Sequence, residues 1–196
     1  MKQYSFTKKV LMLTDEVIID QTKCWIKDVV IGCNFCPFAA KELRLNTIHY
    51  HVEKSTEIKM CLESFLAQCK KLDLEKNVAT TLLIFPAAFA RFDNFLNLVS
   101  LAGELLTQEK YEGIYQVASF HPLYCFANAL IDDAANYTNR SIYPMLHILR
   151  EDGIEKALSH YNSPEKIPAN NIKFARQKGV DFMRGLRNAC LSNADE

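Results

Sequence analysis

The chain has no surplus of charge of either sign: 23 Lys and Arg balance 23 Asp and Glu. A protein that grips a phosphate backbone normally carries a clustered basic excess, so no nucleic acid is expected as a main partner. The same balance leaves little repulsion between copies and is compatible with a homodimer. Long apolar runs are missing too. The longest, around TTLLIFPAAFA, falls far short of the roughly 20 residues a membrane helix needs, so no membrane partner is expected. The opening MKQYSFTKKVLMLTDEVIID has no apolar core followed by small cleavage-site residues, and it reads as no signal peptide. Repeats and low-complexity tracts are absent. The seven cysteines are odd in number and scattered, at 24, 33, 36, 61, 69, 125 and 190. No second CxxC or HxxxH pair completes a zinc tetrad around Cys33 and Cys36. Reduced thiols in a cytoplasm are the expectation, not a disulfide scaffold.

What is present is ordinary globular material. At 196 residues, 49% hydrophobic and 23% charged, the chain suits a single domain over 1–196, with loose ends at 1–14 and 190–196. LTDEVIIDQTKCWIKDVVIG carries a helical apolar stripe closed by Gly32. TIHYHVEK alternates as a half-buried strand, and Ser55 is placed to cap the helix that follows it. VATTLLIFP reads as a buried strand, FARFDNFLNLVSLAGELLTQ as a helix and GIYQVASF as a third strand. Beyond Pro144, MLHILRED and IEKALSHY read as short helices, and the stretch from Ile167 as a longer closing helix weakened at Gly179. Strand, helix, strand, helix, strand predicts an α/β fold, with α+β as a variant, on a small mixed or parallel sheet of three to four strands. A ferredoxin-like arrangement is the alternative. Ligands gather at the carboxyl ends of such strands, here near Glu53, Pro86 and His121.

The segment behind the third strand holds most of the polar chemistry. His121 ends the strand, Asp132 and Asp133 follow, and NYTNRS supplies Asn136, Asn139, Arg140 and Ser141. In a helix, His147, Arg150 and Glu151 at i, i+3 and i+4 would share one face, and Ser141 would cap it. Connections of about twenty residues without regular structure are uncommon in compact domains and are often functional. Two chemistries fit. His121, Asp132, His147 and Glu151 are ligand types that hold a divalent metal cofactor, although no HExxH-like signature is present. Alternatively, His121 and the carboxylates Asp132, Asp133 and Glu151 serve as acid and base while Arg140 and Arg150 hold an anionic group. The bland reading of Asn136 and Ser141 is that they satisfy turn backbone, and that of Asp132 and Asp133 is that they are solvated.

In GCNFCPF, Pro37 suits a first helical position, which would leave Cys36 at the N-cap, facing the positive end of the dipole. A thiol there is acidified and, if exposed, reactive. The opposing reading is a buried small hydrophobe, which is favoured for Cys24, Cys61, Cys69, Cys125 and Cys190.

WIKDVVIGCNFCPFA, TTLLIFP, YQVASFHPLYCFAN, DDAANYTNRSIYPMLHILRED and IPANNI occur in order from Trp25 to Ile172. In these stretches the chain is similar to DUF 1415, an uncharacterised bacterial family. The family's Cys-Pro-Phe matches Cys36 to Phe38, and an apolar residue usually stands where this chain has Cys33. The resemblance therefore argues against a dithiol mechanism and implies no activity. The expectation is a small cytoplasmic enzyme that binds a small anionic molecule at the His/Asp/Arg-rich segment and works on it by acid/base or metal-assisted chemistry. The alternative is a non-catalytic binding or structural module in which that segment is a hydrogen-bonded latch.

Overall fold

Helix formation begins where the sequence supplies a cap. The structure, a computed structural model, describes residues 13–159 and 161–192. Most of the two loose ends expected at 1–14 and 190–196 therefore lies outside the described residues. Thr14 is extended and accepts a hydrogen bond from Val17 N at 3.3 Å, with Asp15 and Glu16 in the first turn. Helix α1, Asp15–Trp25, continues directly into a π-helical segment, Ile26–Ile31. Gly32 follows, and its N–H bonds to Lys27 O, five residues back, at 3.0 Å. A Cβ on Gly32 would lie 2.3 Å from the Asp28 carbonyl oxygen, so this wide turn accepts glycine only. A short helix α2, Ala39–Leu45, ends at Asn46 in the left-handed region.

Four strands form one mixed sheet: β1 (Ile48–Val52), β2 (Thr80–Ile84), β3 (Tyr115–Phe120) and β4 (Met145–Arg150), in the order β1-β2-β4-β3. Helix α3, Ile58–Leu74, joins β1 to β2, which pair in parallel as the alternating pattern implies. Helix α4, Phe92–Gln108, carries the chain over to β3. Strand β4 runs antiparallel to both β2 and β3, so β1, β2 and β3 all point the same way. The fold is thus α/β, with a mixed sheet.

Each face of the sheet supports its own core. Leu82, Ile84, Met145 and Phe120 face Trp25, Val29 and Met183 on one side. On the other, Leu83, Leu146 and Ile148 meet Phe65 and Leu72 of α3 and Phe95 and Leu98 of α4. The buried apolar positions of α3 (61, 65, 69, 72) and α4 (95, 98, 102, 106) recur every three or four residues, as a one-sided helix requires. After β4 come α5 (Glu151–Leu158), α6 (Ile167–Lys178) and α7 (Val180–Ser192). Among the described residues, no helix is long and apolar enough to cross a membrane.

Several expectations need correction. MLHILRED is not a helix: Met145–Arg150 is the strand β4, and its neighbours on both edges supply its hydrogen bonds. Met145, Leu146 and Ile148 are fully buried because a central strand packs on both faces and loses its alternation. The closing helix is two helices, since Gly179, at φ 82, breaks it. Ser55 bonds Glu57 N at 3.1 Å one turn early, and α3 starts at Ile58 without a side-chain cap.

Candidate functional site

The polar segment spends its donors on the protein itself. His121 is 1% exposed and lies between Phe92 and Phe95, with ring centroids at 5.2 and 5.1 Å. Its Nδ1 accepts from Leu123 N at 2.9 Å, so the ring proton is on Nε2, 2.8 Å from Phe89 O. Burial lowers the His121 pKa, against the opposing pull of the Phe89 carbonyl. Phe89 itself is held at φ 57. Arg140, 8% exposed, donates from Nε to Tyr124 O at 2.9 Å and from Nη2 to Ile131 O at 2.7 Å, and lies 4.9 Å from the Tyr137 ring centre. Asn136 accepts from Phe126 N at 3.0 Å and donates to Leu130 O at 2.8 Å. Asp133 caps the 3₁₀ turn Ala134–Thr138 through Ala135 N and pairs with Arg176 of α6 at 2.7 Å. The hydrogen bond from Arg176 holds its carboxyl below the usual range. The main chain of Asn139 accepts from His121 N at 3.2 Å, and its side chain accepts from Thr138 Oγ1 at 3.1 Å. Ser141 is buried and bonds Tyr143 O in a turn, so it caps no helix. Asp132 is exposed.

Arg150 is likewise a carbonyl collector. It reaches Val78 O at 3.1 Å, Glu75 O at 3.3 Å and Leu72 O, thereby closing the carboxyl end of α3. Its Nη1 contacts Tyr115 Oη at 3.3 Å, and Tyr115 in turn donates to Asp73 at 2.7 Å. Because β4 is a strand, Arg150 and His147 project to opposite faces of the sheet, and Glu151 opens α5. The expected shared face does not form. No three of His121, Asp132, His147 and Glu151 bring ligand atoms within 4.8 Å of one another.

The sheet instead gathers a different set of residues. A cavity of about 200 Å³ lies between the sheet and the α1–π helix. Its floor is Ile48, Thr80, Leu82, His147, Leu149 and Phe120, and its far wall includes Trp25, Ile26, Val30 and Cys36. Glu42 and, from α5, Gly153, Ile154 and Ala157 complete it. Of the residues singled out from sequence, Cys36 and His147 line this cavity and Arg150 borders it with its guanidinium turned away to the end of α3, whereas His121, Asp132, Asp133, Asn136, Asn139, Arg140, Ser141 and Glu151 do not line it. Cys36 is half-buried in the turn before α2, which begins at Ala39, so it is no N-cap. Its neighbour Cys33 is buried, which pushes that thiol up.

The cavity's polar feature is a histidine–threonine pair. His147 Nε2 lies 2.7 Å from Thr80 Oγ1, and that hydroxyl donates its one proton to Ile148 O at 2.6 Å. Nε2 is therefore the N–H of the ring, and Nδ1 is left as an acceptor, with no hydrogen-bond partner among the described residues. Burial brings the His147 pKa down to about 4, so the ring is neutral at pH 7. Trp25 is 1% exposed and its Nε1 is buried without a hydrogen-bond partner. Thr80, Trp25 and α5 carried no sequence signal beyond Trp25 being the chain's single tryptophan.

A four-stranded mixed sheet with a core on each face and one apolar cavity beneath its helical cover defines a layered α/β protein. The chain belongs to the family described as Protein of unknown function (DUF1415), whose profile matches residues 17–185. No curated protein and no solved structure matches it.

Proposed function

We propose that the protein binds a small, largely apolar molecule of about one ring, carrying one O–H or N–H, in the cavity between β4 and the α1–π helix. The observation that carries this reading is a neutral histidine with a spare acceptor in a largely apolar hollow. An engineered apolar cavity of ~150 Å³ takes up benzene, and about 200 Å³ is a comparable space. The ligand donor would bond His147 Nδ1, and the Trp25 N–H would gain from any acceptor that reaches it. Cys36 is the one thiol placed to touch such a ligand. The segment from His121 to Ser141 serves here as a latch, a role supported by its hydrogen bonds to main-chain carbonyls. Seven cysteines, none of them in a disulfide among the described residues, support a reducing, cytoplasmic setting.

Trp25 provides the test, because its emission reports on the cavity it lines. Titration with phenol will give a saturable change, with affinity about fivefold above that of benzene, the worth of one ordinary hydrogen bond of ~1 kcal/mol. Ala157→Phe fills the space and will abolish both responses. An emission that never saturates, or that responds equally in Ala157→Phe, rejects the reading.

A further inference from the structure

The other cluster of reactive groups lies across α1 from the cavity, on the seam with α7. We propose that Cys24, Asp28 and Cys190 bind a thiophilic divalent cation of the zinc type, with solvent in the fourth position. Cys24 and Asp28 stand four residues apart on one continuous helix, so their side chains share a face. Cys190 arrives from α7, which packs along α1. One side chain fixes this approach: Gln21 Nε2 donates to Leu191 O at 2.9 Å, and Gln21 Oε1 accepts from the Tyr143 hydroxyl. Gly32 closes the turn just beyond Asp28, with its N–H bonded to Lys27 O at 3.0 Å.

The spacing suits a tetrahedral ion. With Zn–S about 2.3 Å and Zn–O about 2.1 Å, a tetrahedron has edges of roughly 3.6 Å between sulfur and oxygen and roughly 3.8 Å between sulfurs. Cys24 Sγ lies 3.4 Å from Asp28 Oδ2, and the donor atoms of all three residues lie within 4.8 Å of one another. Side-chain adjustments of under about 1 Å therefore close the site, without moving a helix. Among the described residues this is the one such cluster of three. It borders a cleft of about 350 Å³, which gives an ion and a water ligand access.

The chemistry of the donors selects the metal class. Two sulfurs favour zinc, cadmium or cobalt(II) over magnesium and calcium, which prefer oxygen sets. In the metal-free protein the Cys24 thiol donates to the Asp28 carboxylate. The Cys190 thiol donates to Leu186 O at 3.7 Å. Cation binding replaces those protons: both thiols release theirs to solvent as two metal–sulfur bonds form, and the carboxylate binds without proton loss. Lys27 lines the same cleft, as does the ion pair of Lys23 with Asp20 at 3.1 Å.

Cobalt(II) titration of the reduced full-length protein, under argon with a non-thiol reductant, tests the proposal. The expected result is one equivalent bound, with a thiolate-to-cobalt charge-transfer band and tetrahedral ligand-field bands, both displaced by stoichiometric zinc. Cys24→Ser, at a half-buried position, will lose at least about half of the charge-transfer intensity, since one of the two sulfur donors is gone. Asp28→Asn will weaken zinc by at least about tenfold, since even outer-shell losses cost ~10–100-fold. Cys125→Ser will bind as the parent does. Absence of the charge-transfer band, or a band undiminished in Cys24→Ser or lost in Cys125→Ser, overturns the site. The outcome is independent of the cavity, because neither Cys24, Asp28 nor Cys190 lines it.

Discussion

Replacement of Arg140 by alanine will lower the free energy of unfolding by about 3–5 kcal/mol. The guanidinium makes two charge-assisted hydrogen bonds, to Tyr124 O at 2.9 Å and Ile131 O at 2.7 Å, and it is 8% exposed. Hydrogen bonds to a charged donor contribute roughly 1.5–3 kcal/mol each, and the carbonyls left behind face the interior without a donor. The Tyr137 ring, 4.9 Å away, loses its cation as well. Arg140→Lys keeps the charge but cannot span two carbonyls, and it will fall between parent and alanine. Asp132→Ala, in the same segment but exposed, will stay within about 0.5 kcal/mol of the parent. Urea unfolding midpoints at constant m-value decide the matter. An arginine held for an incoming anion would face solvent, and its loss would leave stability unchanged or raise it. An Arg140→Ala midpoint equal to the parent's would therefore reverse the latch assignment and restore the anionic-ligand reading.

The contrast between segments explains what could be read from the sequence. The β1–α3–β2 crossover was legible because local patterns decide it: alternation in IHYHV, a one-sided stripe from Cys61 to Leu72, and an apolar run ended by Pro86. Strand β4 was not, because Met145, Leu146, Ile148 and Leu149 fit helical spacing as well as they fit a strand buried on both faces. That one misreading would have put His147, Arg150 and Glu151 on a common face, whereas the strand sends His147 to the cavity and Arg150 to the end of α3. The polar loop was visible as unusual. Its purpose was hidden in partners that have no side-chain signature, the carbonyls of Phe89, Tyr124 and Ile131. The Cys24–Asp28–Cys190 cluster joins residues 166 positions apart, which no spacing rule connects.

Acid will destabilise the protein by up to about 3 kcal/mol through His147 alone. Burial sets its pKa at about 4 in the folded chain, against ~6.5 when unfolded. Above pH 6.5 neither state holds the proton, and this residue gives stability no pH dependence. Between 6.5 and 4 the unfolded chain takes up a proton that the native state refuses, so stability falls by up to about 1.4 kcal/mol per pH unit. Below 4 both states are protonated and the loss is complete. His121 and His49, whose pKa values are also lowered by burial, act in the same direction. Asp133, held down by Arg176, adds its loss only below the ordinary carboxylate range. His147→Gln keeps a donor for Thr80 Oγ1 and will flatten the 6.5-to-4 limb by its own share; a limb identical to the parent's would refute the assignment. The same low pKa governs ligand binding. A donor on the ligand needs the neutral Nδ1 of His147, and that form persists to pH 5. Phenol affinity will therefore stay nearly flat from pH 7 to pH 5, where a histidine of ordinary pKa would lose about 25-fold.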